Sequence, residues 1–141
     1  MAVIDDMPDL KVGYRIEFSK TVGADDVRKF ADVTGDDNPL HCDPAYARRT
    51  RFGECIAHGM LGAGFISAAI ARLAPHASAV YLTQTLRFLR PIGIGDTIRA
   101  VAEVKSFDEK ASTATLTTVC YNQRNEQVVS GSALVLLEPL K

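Results

Sequence analysis

From residue 58 to residue 74 the chain reads HGMLGAGFISAAIARLA, and Pro75 follows. Nearly every position around a helical wheel is apolar or small, so the segment predicts a helix over roughly His58 to Ala74 with no face to offer water. Gly62, Gly64 and five alanines keep it thin, and small residues let neighbouring backbone approach closely. A helix of this kind has to be buried.

The second half of the chain supplies the cover. Residues 78–90 place Val80, Leu82, Leu86 and Phe88 on one expected face, with Gln84 as the odd polar member. Residues 97–107 turn Ile98, Ala100, Ala102 and Val104 inward. Residues 112–122 alternate about Ala114, Leu116 and Cys120, residues 127–137 form a last strand, and PIGIGD reads as a turn. Consecutive strands with short connections predict an antiparallel sheet. The fold class is α+β, a sheet curled around the thin helix. Its open edges are a liability unless paired, which predicts a homodimer joined edge to edge.

The first half begins with a short strand, KVGYRIEFS, with Val12, Tyr14, Ile16 and Phe18 on one face. From Ala24 the spacing becomes helical, with Val27, Phe30, Ala31 and Thr34 at i, i+3, i+4 and i+7. Asp25 and Asp26 sit in its first turn, where the helix dipole favours anions, and Gly35 is its stop. Then comes GDDNPLH, residues 35–41. Proline fixes its own φ and pushes the preceding residue out of the α region, so the stretch predicts a rigid bend rather than a helix. Asp43-Pro44 is an N-cap with proline at N1, opening a short helix through about Thr50.

With 141 residues and no repeat or linker, the expectation is one domain over residues 1–141. A net charge of −1 gives no reason to expect nucleic acid or an anionic membrane as partner. The N-terminal MAVIDDMPDLK carries early acids and has no signal-peptide pattern. The longest apolar stretch falls short of the roughly 20 residues that span a bilayer. Three cysteines without a CxxC pair point to a reducing compartment, so the expectation is a cytoplasmic, soluble protein. Cys42, Cys55 and Cys120 read as core residues. A zinc site from His41, Cys42, Cys55 and His58 is disfavoured, because adjacent His and Cys do not readily share one ion and the spacing matches no ligand pattern.

Read alone, Asp36 is a turn or capping acid and His41 a satisfied loop histidine. Their surroundings change that. The segment FADVTGDDNPLHCDPAYARRTRFGECIAHGML, Phe30 to Leu61, resembles the hydratase signature of the MaoC-like branch of the hotdog fold, which includes (R)-specific enoyl-CoA hydratases and 3-hydroxyacyl dehydratases. The strand–helices–strands order extends the resemblance over nearly the whole chain. It implies a hotdog sheet around the apolar helix, with a helical overhang carrying the motif. It implies that Asp36 and His41 form a catalytic dyad supported by Asn38, and that the backbone N–H of Gly59 polarises the thioester carbonyl. Phe52 and Gly53 match the family's FG step.

The chemistry has matching needs. Hydrating an enoyl thioester requires a positioned acid–base pair, which contributes ~10²–10⁴-fold, and donors for the enolate oxygen at a helix N-terminus. Met60 is a possible second donor, and His58 is either a helper of the Gly59 peptide or structural packing. Phe65, Ser67 and Ile70 are candidates for the acyl pocket, and Arg87 and Arg90 for CoA phosphates, as are Arg48, Arg49 and Arg51. No cofactor or metal is expected; CoA enters as part of the substrate. The activity implied is reversible hydration of trans-2-enoyl-CoA to (R)-3-hydroxyacyl-CoA, feeding β-oxidation intermediates into polyester synthesis or a related pathway. A dehydratase acting on acyl carrier protein is a close variant. A hotdog thioesterase is a different class, and the absence of Asp or Glu between Met60 and Ala71 counts against it. A non-catalytic acyl-thioester binder, or a subunit of a larger dehydratase, is the third reading.

Overall fold

The computed structural model describes residues 11–73 and 78–138. Strand β1 (Arg15–Thr21) leads into helix α1 (Ala24–Thr34), two single-turn helices α2 (Pro39–Cys42) and α3 (Pro44–Ala47), and the short strand β2 (Ile56–Ala57). Helix α4 (Gly59–Ile70) follows, closed by a 3₁₀ turn over Ala71–Leu73. Then come β3 (Ser78–Phe88), β4 (Ile92–Gly93), β5 (Thr97–Asp108), β6 (Thr113–Tyr121) and β7 (Gln127–Glu138). Five strands form one antiparallel sheet in the order β1-β5-β6-β7-β3. β2 and β4 pair separately, Ile56 with Gly93 and Ala57 with Ile92. This small sheet spans the segment read as a plain turn.

The core lies where the apolar helix meets the sheet. Gly62, Phe65, Ile66, Ala69 and Ile70 of α4 are buried, and so are Ile98, Ala100, Ala102 and Val104 on β5 and Ala114, Leu116 and Cys120 on β6. Burying each large aliphatic side chain is worth about 1.5–3 kcal/mol. A Cβ on Gly62 would stand 3.1 Å from Ile92 Cδ1 and Val129 Cγ2, so the thinness of the helix is what lets it close on the sheet. The helix begins at Gly59 with His58 as its N-cap; Ala74 and Pro75 lie outside the described residues, as do the first ten.

Three local expectations change. Val12 precedes β1 and is exposed. The phase of β3 breaks at Leu82, where a bulge separates the pairs Tyr81–Val135 and Thr83–Leu134. Cross-strand partners share a face. The inward set is therefore Ala79 and Tyr81 before the bulge, then Gln84, Leu86 and Phe88 after it, opposite Leu137, Val135, Ala133, Gly131 and Val129. Val80 pairs on the outer face with Leu136, and both it and Leu82 are exposed. Finally, Pro39–Cys42 is a single helical turn of four residues, not the non-helical bend expected. Proline suits its first position, and Asn38 caps it by accepting the Leu40 N–H at 3.0 Å.

Candidate active site

The segment between β1 and β2 folds as an overhang that turns two side chains back toward the start of α4. Gly35 ends α1 at φ 82°, a left-handed value that favours glycine, and donates its N–H to Ala31 at 2.9 Å. The Asp36 N–H donates to Thr34 Oγ1 at 3.1 Å, and the Asp36 carboxylate accepts a long contact from the Asn38 N–H, 3.4 Å. α2 then delivers His41. Asp43 caps α3, accepting from the Ala45 and Tyr46 N–H groups at 3.0 and 3.2 Å. Two capped turns in succession hold the bend with little side-chain freedom.

His41 Nδ1 donates to the carbonyl oxygen of Ile56 at 2.7 Å. That bond commits Nδ1 as the donor and leaves Nε2 the acceptor. Donor atoms of Asp36, His41 and His58 lie within 4.8 Å of one another. Their settings differ: Asp36 is exposed, His41 half-buried and His58 2% exposed. His58 Nε2 donates to the backbone carbonyl of Asp36 at 2.9 Å, and its ring packs on that of His41, centroids 3.9 Å apart at 32°. Among the described residues these three are the group close enough to share an ion. The stacking holds the two rings side by side, each with one nitrogen bound to a backbone carbonyl.

Gly59 opens α4. The Leu61 N–H closes the first turn on the His58 carbonyl at 3.0 Å, so the amides of Gly59 and Met60 precede the helix's own hydrogen bonding. Phe88 lies directly over Gly59: a Cβ there would come within 2.7 Å of Phe88 Cδ1.

Two clefts flank this point. One of about 410 Å³ is lined by His41, Arg51, Phe52, Gly59, Met60, Phe88 and Arg90 among others. The second, about 470 Å³, is lined by Phe30, Met60, Ser67, Tyr81, Gln84 and Leu86 among others. Met60 borders both. Gln84, the polar exception on β3, accepts from Tyr81 Oη at 2.9 Å and donates to the buried Thr118 Oγ1 at 3.0 Å. Burial, with the Cys120 thiol nearby, pushes the Tyr81 phenol up to about 12, so it stays a hydroxyl.

The expected residues therefore divide. His41, Phe52, Gly59, Met60 and Arg90 line the first cleft and Ser67 the second. Phe65 and Ile70 face the core, 6% and 3% exposed, and line neither cleft. Asp36 and Asn38 are exposed on the overhang and line neither cleft; His58 is buried behind His41 and lines neither, and Arg87 is exposed outside both. Gly53 takes φ 74° in the turn after Phe52, a backbone need rather than a contact. Arg51 stacks on Phe52 at 4.7 Å. Cys42 is exposed and Cys55 half-buried, so only Cys120 is a core cysteine as expected. Burial raises the Cys120 thiol to about 12. The Ile56 carbonyl and Phe88 were not legible as site groups: a main-chain oxygen has no sequence signature, and Phe88 read as core.

The MaoC-like domain model matches residues 6–126. The (R)-specific enoyl-CoA hydratase of Aeromonas caviae is 41% identical over 128 residues, covering 91% of this chain and 96% of that protein. The 3-hydroxybutyryl-CoA dehydratase of Methylorubrum extorquens is 41% identical over 127 residues, 90% of this chain and 80% of that protein. The solved structure of the R-hydratase PhaJ1 from Pseudomonas aeruginosa superposes with a TM-score of 0.87 at 41% identity, covering 94% of this chain and 85% of that one. With a domain match over most of its length, relatives at this identity and the hotdog sheet around α4, the chain belongs to the MaoC-like domain family.

Proposed function

We propose that the protein is a hydro-lyase, an (R)-specific enoyl-CoA hydratase that reversibly adds water to trans-2-enoyl-CoA to give (R)-3-hydroxyacyl-CoA. The observation that carries this reading is the His41–Ile56 bond. It leaves His41 Nε2 free to accept, in a cluster with the Asp36 carboxylate and beside the first amides of α4.

In this scheme Asp36 and His41 grip one water. Its oxygen attacks C3, the proton it loses passes to the pair, and C2 gains a proton from the pair. Charge on the thioester oxygen between those events is held by the Gly59 N–H. A donor of this kind is worth about 2.7–4 kcal/mol in well-studied oxyanion holes. Asn38 keeps α2 in place. The residues supply every step, so no metal or organic cofactor is invoked. The mostly apolar second cleft suits the acyl chain, and Arg51 and Arg90 on the first suit the CoA phosphates. β3 stands at the sheet edge with Val80, Tyr81, Leu82 and Phe88 exposed. A long apolar edge of this kind favours pairing with a second copy, and a homodimer is part of the proposal.

Crotonyl-CoA tests it: loss of enoyl-thioester absorbance without release of free thiol is the expected result. Thiol release would indicate a thioesterase instead, a reading that α4 disfavours because Gly59–Ile70 contains no acidic residue.

A further inference from the structure

We propose that His58 is a positioning residue, holding the Asp36 peptide and the His41 ring in fixed relation to the Gly59 amide; this rests on the hydration reading above. His58 stands at the N-cap of α4, where Ser, Thr, Asp or Asn would cap the helix, yet its side chain makes no capping bond. Its Nε2 instead reaches back 22 residues to the Asp36 carbonyl, at 2.9 Å. Its ring packs on Phe30, 4.6 Å away at 46°, and on His41, 3.9 Å away at 32°. Its Nδ1 is buried and meets no hydrogen-bond partner among the described residues.

Stability alone does not select histidine here. A capping residue would satisfy the helix, and a phenyl ring would fill the space without stranding a nitrogen. A buried ring nitrogen without a protein partner among the described residues is a cost that packing alone does not repay. The three groups proposed to act on substrate sit on three separate elements: the loop after α1, α2, and the start of α4. Local turns cannot fix their mutual distances. The other hydrogen bonds of Asp36 among the described residues stay within residues 34–38, so His58 is that residue's tie to a distant segment. Beside the His41–Ile56 bond, one side chain, continuous with Gly59, bonded to Asp36 and stacked on His41, links all three. Errors of about 1 Å in such an arrangement cost about 10²-fold in rate.

Two variants of the full chain separate the two contacts. His58→Phe keeps the ring and removes the donor; His58→Gln keeps an amide N–H near the height of Nε2 and removes the ring. Each is expected to lower kcat for crotonyl-CoA about 10–100-fold, as loss of a supporting partner does in other sites, with KM within about two-fold and the thermal midpoint near wild type for His58→Phe. Near-wild-type kcat in both variants overturns the proposal, as does a rise in KM at unchanged kcat, which would make His58 a binding group. If neither variant folds, nuclear magnetic resonance of the wild-type protein decides: a slowly exchanging His58 ring N–H coupled to the Asp36 carbonyl supports the tie, and its absence overturns it. A wild-type protein that hydrates no enoyl thioester removes the functional reading, while the resonance measurement still decides the role of His58.

Discussion

His41 and Ile56 are joined at 2.7 Å, ring Nδ1 to main-chain oxygen, and that bond fixes which nitrogen is available for chemistry. The contact can be kept while the chemistry is removed. Asparagine at position 41 places its amide N–H where Nδ1 was, but has nothing at the Nε2 position. His41→Asn is expected to fold with an unchanged thermal midpoint and to lose ~10²–10⁴-fold in hydration of crotonyl-CoA. Asp36→Asn should lose a similar factor and still fold, since Asp36 is exposed and, among the described residues, its side chain makes only the 3.4 Å contact to the Asn38 N–H. Turnover near wild type in either variant would take that residue out of the mechanism.

Gly59 and Phe88 are interlocked, since a Cβ on the glycine would fall 2.7 Å from the Phe88 ring. Phe88 is 54% exposed, so the ring can swing into solvent. Gly59→Ala should therefore fold and move the amide that faces the thioester oxygen, lowering kcat about 10-fold or more. The double variant Gly59→Ala with Phe88→Ala gives the methyl group room and should recover part of that loss. Equal activity in the single and double variants would show that the clash is not the cause.

The buried helix, the five long strands and the proline and cap positions around GDDNPLH were legible in the sequence because each rests on short-range rules: all-round apolarity, period-two alternation, proline and capping chemistry; the short β2–β4 pair and the helical turn at Pro39–Cys42 were not. Phase within β3 was not, since Leu82 enters a bulge that tertiary pairing with β7 imposes. Within the site, Asp36 and His41 stood out as side chains with a motif around them. The Ile56 carbonyl did not, because what matters there is where β2 puts a main-chain atom. Phe65 and Ile70 could not be told from cleft residues for a related reason: apolar residues on one helix serve the core and the cleft alike, and only rotation about the α4 axis separates Ser67 from its buried neighbours.

Gly131 on β7 pairs with Leu86 on β3, and a Cβ there would sit 1.8 Å from the carbonyl oxygen of the adjacent Thr85. The obstacle is backbone, so no rotamer change relieves it. Gly131→Ala has to push β3 away from the sheet, at a cost of about 3 kcal/mol, which lowers the thermal midpoint by roughly 10 °C in a chain this size. Calorimetry checks this; a shift under a few degrees would mean that the edge strand yields easily.

Asp26 tests the electrostatics of the overhang. Its carboxylate accepts the Gly23 N–H at 2.8 Å and lies 3.5 Å from Lys20 Nζ. The backbone hydrogen bond from Gly23, aided by Lys20, holds its pKa below the ordinary 3.8. A folded pKa below the unfolded one means that the stabilisation is complete above pH 3.8 and is lost as pH falls through the lower folded value. Asp26→Ala removes the bond and the charge together, and should cost about 1 kcal/mol at neutral pH. At low pH the wild-type carboxyl is protonated in both states and most of that advantage is gone, so the two denaturation midpoints should converge. Urea titrations of both proteins at about pH 7 and about pH 2.5 measure the difference. A gap that persists undiminished in acid would assign the effect to packing at the start of α1 rather than to the charge.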